Sequence, residues 1–246
     1  MMLAGRHILV TGAARGLGEK IAERLAAEGA RLILADLLEP EGRAVAARLG
    51  AGFLPVDLAD PASVAAMGEA VAERTGGRLH GLVNNGAIAT GIGGIAHDRI
   101  GIDIWDKVMA VNVRGTWLVT RAMAPLLKAA GSGRVVNVAS DTALWGAPLL
   151  LAYTASKGAV MAMTRSYARE LGPDRIGVTA VAPGILTTES TDYVPEARHR
   201  LYGEGRAVPG PQSADEITGT IAFLLGEDAL TLTGQTLPVN NGFWFI

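Results

Sequence analysis

From Arg6 onward the chain alternates short, β-branched apolar runs with longer segments of helical period. That alternation is the signature of a parallel sheet whose crossovers are helices lying on both faces. The runs expected to be strands are His7 to Thr11, Arg31 to Asp36, Gly52 to Asp57, Gly81 to Asn84, Arg134 to Ala139, Gly177 to Ala182 and Gln235 to Val239. Between the first two, Gly18, Ile21, Ala22, Leu25, Ala26 and Gly29 recur at a spacing that lays one stripe of a helix on the sheet. Further helices are expected over Glu41 to Leu49, Pro61 to Thr75, Asp103 to Ala130, Ala152 to Leu171 and Ala214 to Leu225. Most connections are short, as βα units require. The exception, Ile185 to Ser213, holds Tyr193, Arg198, His199, Tyr202 and Arg206 among glycines and prolines. A connection of that length in a compact domain marks a lid or binding loop. No linker, internal repeat or low-complexity tract interrupts the pattern, so one domain over residues 1–246 is expected.

Composition removes several function classes. Apolar residues make up 49% and charged residues 19%, enough for a buried core and unlike a disordered chain. A formal net charge of -2, with no clustered Lys/Arg run, gives no general attraction for nucleic acid or an anionic membrane. The absence of cysteine excludes disulfides, thiolate metal sites and thiol nucleophiles. His7, His80, His97 and His199 lack metal-ligand spacing, so no metal is expected. No apolar stretch is long enough to cross a bilayer, and Met1 to Arg6 leave no room for a signal peptide before the first strand. A cytoplasmic location is therefore expected.

Directly after the first strand comes Thr11-Gly12-Ala13-Ala14-Arg15-Gly16-Leu17-Gly18, opening into a helix. In that context Gly12 allows a sharp turn, Gly16 lets the backbone approach a pyrophosphate, and Gly18 lets helix and strand pack closely. The helix N-terminus then faces the anion. Asp36 ends the second strand, where an acid can accept hydrogen bonds from an adenosine ribose and repel a 2′-phosphate. Arg15 argues the other way, since a guanidinium could pair with that phosphate. Leu37 supplies no second cation and Arg15 can instead neutralise Asp36, so NAD is expected over NADP. Asp57, followed by Leu58, either meets the adenine amino group or serves as an N-terminal acid for the helix beginning at Pro61.

Tyr153-Thr154-Ala155-Ser156-Lys157 places a phenol and an ammonium one turn apart on the same helix face. A free tyrosine titrates near 10, so making it a base near neutral pH needs on the order of 3 to 4 kcal/mol of phenolate stabilisation. A neighbouring cation acts in that direction.

The glycine loop, Asn84-Asn85-Gly86-Ala87, Asn112, Ser140, Tyr153, Lys157 and Pro183-Gly184 occur in the order and approximate spacing of the short-chain dehydrogenase/reductase family, which the chain resembles over nearly its whole length. The resemblance implies a Rossmann-type, doubly wound parallel sheet of about seven strands with helices on both faces. It also implies hydride transfer between a nicotinamide cofactor and an alcohol or ketone. Ser140 would orient the substrate oxygen, Tyr153 exchange its proton, and Lys157 hold the ribose hydroxyls and lower the tyrosine pKa. Asn112 would support a proton-relay water, while Asn85 and the segment Pro183, Gly184, Ile185 and Thr187 would line the cofactor pocket.

Two departures stand out. Asn84-Asn85-Gly86-Ala87 replaces the family's Asn-Asn-Ala-Gly, which predicts a different bend beside the adenosine half. Asn240-Asn241-Gly242 replaces an acidic-Gly-Gly, and an aromatic tail, Phe243-Trp244-Phe245-Ile246, follows; burial of that tail, against another subunit, is expected. Thr142 to Leu151 and the loop after Pro183 are the expected substrate walls, with Ser140, Trp145, Tyr193 and Tyr202 as candidate contacts. Leu144, Trp145, Leu149 and Leu150 make that cavity partly apolar, which favours cyclic, aromatic or short aliphatic alcohols and leaves polyols open. Trp105, Met109 and Trp117 read as core or interface. Small residues surround the helix that carries Tyr153, so coverage by a sheet and by a neighbouring molecule is expected, and the family resemblance implies a homotetramer. Two alternatives stay open: an NADP-dependent carbonyl reductase, and a cofactor-binding regulator that keeps the fold without the chemistry.

Overall fold

The computed structural model describes residues 1–246, the side chain at 190 excepted. Its strands are β1 (His7–Thr11), β2 (Arg31–Asp36), β3 (Gly52–Pro55), β4 (Gly81–Asn84), β5 (Arg134–Val138), β6 (Gly177–Pro183) and β7 (Thr236–Val239). They form one sheet in the order β3-β2-β1-β4-β5-β6-β7, every pairing parallel. Because helices cover both faces, β5 and β6 are buried at every residue, which is why they read as mostly apolar runs rather than alternating ones.

The helices are α1 (Gly16–Ala27), α2 (Glu39–Leu49), α3 (Pro61–Thr75), α4 (Ile102–Met109), α5 (Thr116–Ala129), α6 (Thr142–Trp145), α7 (Leu151–Leu171), α8 (Glu196–Gly205) and α9 (Asp215–Leu224). Side-chain alternation divides the sheet between two cores. Ile8, Val10, Val83 and Val136 pack against Ile21 and Leu25 of α1 and Ile217 and Ile221 of α9. Leu9, Leu82 and Val135 pack on the opposite face against Val64 and Met67 of α3 and Met123 and Leu127 of α5.

Three boundaries differ from the sequence expectation. β3 stops at Pro55 rather than Asp57, because Pro55 pairs with Asp36, the last residue of β2, and no partner strand continues beyond it. The long helix expected from Asp103 to Ala130 is divided by a wide π turn, Ala110–Gly115, between α4 and α5. π turns of this kind recur at functional sites, and this one holds Asn112. The connection from Ile185 to Ser213 is not structureless: α8 lies inside it, and Thr187 bridges to Ser213 where the chain doubles back.

Strand order reverses between β1 and β4, so the loops that leave these two strands diverge and open a crevice at the carboxyl edge of the sheet. One buried polar chain stiffens the same region. Asn84 Nδ2 donates to Asn137 Oδ1 at 2.8 Å, and Asn137 Nδ2 donates to Thr164 Oγ1 of α7 at 2.9 Å, which ties the helix carrying Tyr153 to β4 and β5.

Candidate active site

The glycine loop after β1 is backbone packed against backbone. Gly12 has φ of +65°, and a Cβ there would lie 2.5 Å from the Gly86 Cα. At Gly18 a Cβ would come within 1.9 Å of the Gly12 carbonyl oxygen. Only glycine fits these two contacts. The turn is pinned from below by Asn85, whose Nδ2 donates to the Gly12 carbonyl at 2.8 Å and the Thr11 carbonyl at 3.2 Å. Thr11 Oγ1 accepts from the amides of Asn85 and Gly86 at 3.2 and 3.1 Å. Thr11 was not among the residues picked out from sequence; a lone threonine at a strand end carries no signal of this role. Asn85 thus shapes the loop through its side chain. Gly86, where the family has alanine, takes the position facing Gly12, and a Cβ there would meet Leu58 Cδ1 at 2.7 Å.

Asp36 sits at the mouth of this loop. Its Oδ2 accepts from the Ala14 amide at 2.9 Å and its Oδ1 from the Leu38 amide at 3.0 Å. Each oxygen retains capacity for a further donor. The expected neutralisation by Arg15 does not occur: among the described residues Asp36 has no ion-pair partner, and Arg15 is exposed, with its backbone capping α1 in an extended conformation. The two backbone amides hold the carboxylate instead. Asp57 accepts from the Ala59 amide at 2.8 Å, whereas α3 is capped by Asp60, which accepts from Ala62 at 2.9 Å. Leu58 is buried behind the glycine loop.

These features fit a dinucleotide. The crevice offers a side-chain-free cradle that a Cβ would fill at Gly12 or Gly18, the unpaired first-turn amides of α1, and a carboxylate with spare acceptor sites. Pro183, Gly184, Ile185 and Thr187 leave the end of β6 on the far side of the same edge.

The chemical group stands at the ends of β5 and α7. Ser140 stands beside the Tyr153 phenol and favours its ionised form, and it accepts from the Thr142 hydroxyl at 3.0 Å. Lys157 is buried, lies 5.6 Å from the Tyr153 ring centroid, and donates to the Val138 carbonyl at 2.7 Å. Asn112, in the π turn, has its amide spent on Ile88, with Oδ1 accepting from the Ile88 amide at 2.8 Å and Nδ2 donating to the Ile88 carbonyl at 3.1 Å. The same Nδ2 donates to Ser156 Oγ at 3.1 Å, and Ser156 donates to the Tyr153 carbonyl at 2.7 Å. Asn112 thereby joins the loop after β4 to the first turn of α7. No residue among those described offers a metal-binding cluster.

Electrostatics correct one expectation. Burial pushes the Tyr153 phenol up to about 12, opposed by the Ser140 hydroxyl and reinforced by the neighbouring Tyr193 and Asp141. Lys157 is itself lowered to about 8 by burial. With its ammonium turned to the Val138 carbonyl, the lysine does not bring the phenol toward neutrality. Further positive charge in the cleft is needed for Tyr153 to act as a base.

The substrate candidates separate. Tyr193 is partly exposed, and its hydroxyl donates to the Ala89 carbonyl across the cleft near Tyr153. Trp145 lines the turn after Ser140, but its indole Nε1 is committed to the Tyr202 hydroxyl at 3.0 Å. Tyr202 is buried, with its hydroxyl on Asp141 at 2.7 Å and its ring stacked on Phe243 at a centroid distance of 4.1 Å. Phe243 is thus packed within its own chain, whereas Trp244, Phe245 and Ile246 are exposed on the single chain. Asp141 was also missed from sequence; an acid one place after a candidate serine reads as solvated until its burial is seen.

A groove of about 970 Å³ lies elsewhere, between α4–α5 and the far half of α7, lined by Met109, Trp117, Met163 and Tyr167 among others. It holds none of the groups just described.

The sheet order is that of a doubly wound fold, and it brings Ser140, Tyr153 and Lys157 to the same carboxyl edge as the glycine cradle. A family model described as Enoyl-(Acyl carrier protein) reductase matches residues 12–244. The chain is 36% identical over 242 residues to 3-alpha-(or 20-beta)-hydroxysteroid dehydrogenase of Mycobacterium tuberculosis, covering 98% of this chain and 90% of that protein. It is 36% identical over 254 residues to trans-4-hydroxycyclohexanecarboxylate dehydrogenase of Sinomonas cyclohexanicum, covering 98% and 93%. A solved short-chain type dehydrogenase/reductase from Mycobacterium ulcerans shares the fold with a TM-score of 0.93 at 24% identity, covering 99% of this chain and 91% of that one. The chain belongs to the short-chain dehydrogenase/reductase family, whose dehydrogenases use nicotinamide cofactors.

Proposed function

We propose that this protein transfers hydride between NAD(H) and a secondary alcohol or its ketone, with Tyr153 exchanging the alcohol proton. The observation that carries the reading is the meeting of Ser140, Tyr153 and Lys157 at the sheet edge that also bears the glycine cradle. When bound, oxidised nicotinamide supplies the hydride acceptor and a positive charge in the cleft. Gly12, Gly16, Leu17 and Gly18 receive the pyrophosphate at the α1 N-terminus. Asp36 accepts from the adenosine ribose hydroxyls with its spare lone pairs and repels a 2′-phosphate, which favours NAD. Asp57 and Leu58 border the adenine, while Pro183 to Thr187 wall the opposite end.

Lys157 would hold the second ribose. Its ammonium and the cationic cleft then lower the Tyr153 phenol from its raised value. Ser140 donates to the substrate oxygen, Tyr153 takes the hydroxyl proton in oxidation and returns it in reduction, and Asn112 keeps the α7 start in register. Leu144, Leu149, Leu150 and Tyr193 give the substrate an apolar cleft, so cyclic or aromatic secondary alcohols suit it better than polyols. Two of the relatives carry names for ring-containing substrates, a hydroxysteroid and a hydroxycyclohexanecarboxylate, which supports the same class, while others are named for butanediol and sorbitol and keep polyols open.

We further propose one domain that assembles as a homotetramer, because the groove beside α5 and α7 exposes Trp117 at 43% in a single chain. No helix among the described residues is long and apolar enough to cross a membrane.

The test is a panel of cyclic, aromatic, aliphatic and polyol alcohols, with the matching ketones, followed by nicotinamide absorbance with NAD and NADP. Oxidation of a cyclic secondary alcohol with NAD is expected. No turnover of any alcohol or ketone would sink the enzymatic reading, and a preference for NADP of about tenfold or more would sink the cofactor assignment.

A further inference from the structure

Two remote chain segments meet on one carboxylate immediately behind Ser140. Asp141 is wholly buried. Its amide donates to the Pro183 carbonyl at 2.9 Å, which joins the end of β5 to the end of β6. Its carbonyl accepts from the amides of Leu144 and Trp145 at 2.8 and 3.2 Å and so starts α6. Of the carboxylate oxygens, Oδ1 accepts from the Tyr202 hydroxyl on α8 at 2.7 Å, and Oδ2 accepts from Asn240 Nδ2, just past β7, at 3.1 Å. Gly184 fits against the pair, since a Cβ there would lie 3.0 Å from both Asp141 Oδ2 and Tyr202 Cε1.

A buried charge is costly unless it is paired or fully hydrogen-bonded. Among the described residues no cation lies within ion-pair distance of Asp141. Arg206, 5.4 Å over the Tyr202 ring, spends its terminal nitrogens on the Gly210 and Ile185 carbonyls and on Gln212. The carboxylate therefore does not serve an ion pair. Its two oxygens go to the two segments that close the substrate side of the crevice: the lid helix and the C-terminal strand end.

We propose that Asp141 and Tyr202 are positioning residues whose hydrogen bond latches α8 and the C-terminal segment onto the end of β5, fixing Ser140 and the wall of the alcohol cleft. The inference rests on the alcohol–ketone reading above. Cleft closure then depends on one bond between a buried acid and a lid phenol, with Trp145 Nε1 and the Phe243 ring holding that phenol in place. The groups that face the acid are Tyr202 from α8, Arg206 just past its end, Trp145 from α6, Asn240 from beyond β7 and Tyr153 from α7. Of these, Tyr153 feels the acid as a negative charge that opposes phenolate formation.

Tyr202→Phe and Asp141→Asn separate the latch from the charge. Tyr202→Phe keeps the stacked ring and loses the bond, so the alcohol KM is expected to rise about tenfold, with NAD Kd within about twofold of wild type. Trypsin should cleave after Arg198 and Arg200 faster than in wild type. In Asp141→Asn the amide oxygen still accepts from Tyr202, and its NH₂ can donate to a flipped Asn240, so KM should return to within about threefold of wild type. Loss of the negative charge should move the acid limb of the oxidative kcat/KM profile to lower pH.

Unchanged KM and unchanged trypsin cleavage in Tyr202→Phe would overturn the latch, as would an acid limb that stays in place in a folded Asp141→Asn. Should the asparagine variant not fold, Tyr202→Phe decides alone. If wild type turns over no alcohol, the functional reading fails, while the trypsin comparison still decides whether the latch exists.

Discussion

Gly18→Ala is the sharpest test of how the nucleotide loop is built. A Cβ at this position would lie 1.9 Å from the Gly12 carbonyl oxygen, 2.6 Å from Asn85 Nδ2 and 2.7 Å from the Gly12 carbonyl carbon. The first contact is roughly 1.5 Å inside ordinary van der Waals separation, and two of the three atoms are backbone, which no rotamer change can move. Overpacking of this sort costs about 1–3 kcal/mol, and losing the Asn85 bridge to Gly12 adds about 1 kcal/mol. For a chain of this length that sum lowers Tm by roughly 5–15 °C. Displacement of the loop should also weaken NAD binding by about tenfold or more. Gly203→Ala is the control, because a Cβ there meets nothing within 4 Å and sits in α8. It should gain up to about 1 kcal/mol from helix propensity. Calorimetry and NAD titration on both variants decide the matter. If Gly18→Ala melts with wild type and binds NAD as tightly, the close-packed cradle is wrong.

Other outcomes follow from the same coordinates. Asp36→Ser with Leu37→Arg removes the acceptor at the β2 end and adds a cation, so kcat/KM should fall about tenfold or more for NAD and rise for NADP; unchanged selectivity would remove Asp36 from the cofactor site. Asp141 has a folded pKa raised from 3.8 to about 6 by burial, so the folded state binds its proton more tightly than the unfolded state. Wild-type stability should therefore lose on the order of 3 kcal/mol as pH rises from about 4 to about 6, then stay level, while Asp141→Asn does not share the loss. Urea melts of both proteins across that window read the difference, and parallel curves would contradict it. Trp117→Glu places a charge in the groove beside α5 and should lower the mass seen by light scattering below that of a tetramer. A tetrameric mass in the variant would exclude this face as an interface, and a monomeric wild type would exclude the assembly altogether.

Strands were the most legible part of the chain because β1, β2 and β4 to β6 are largely buried on both faces and their mostly apolar runs end at turns. What escaped depended on partners remote in sequence. The β3 boundary is set by where β2 stops, a fact about pairing rather than about residues 52–57. Helix α8 is polar and carries Gly203 and Gly205, so its only buried residue, Tyr202, gives no periodic stripe. Pro195 followed by Glu196 is a helix-start signal that could have found it. The π turn left one hint, Gly115, whose Cβ would meet the Leu58 carbonyl oxygen at 2.8 Å.

In the site, residue types at fixed spacing located Ser140, Tyr153 and Lys157, and the structure brings them together. The sequence could not show that Lys157 turns to Val138, that Arg15 leaves Asp36 to two amides, or that Tyr202 is buried on an acid. Those are consequences of desolvation and of hydrogen bonds between elements, which no local pattern encodes.

Tyr153→Phe bears most directly on the central claim that this phenol carries the proton. With NAD affinity measured by titration and turnover by nicotinamide absorbance, the variant should bind NAD within about threefold of wild type and lose about 10²–10⁴-fold in kcat. Turnover close to wild type, with binding intact, would contradict the account.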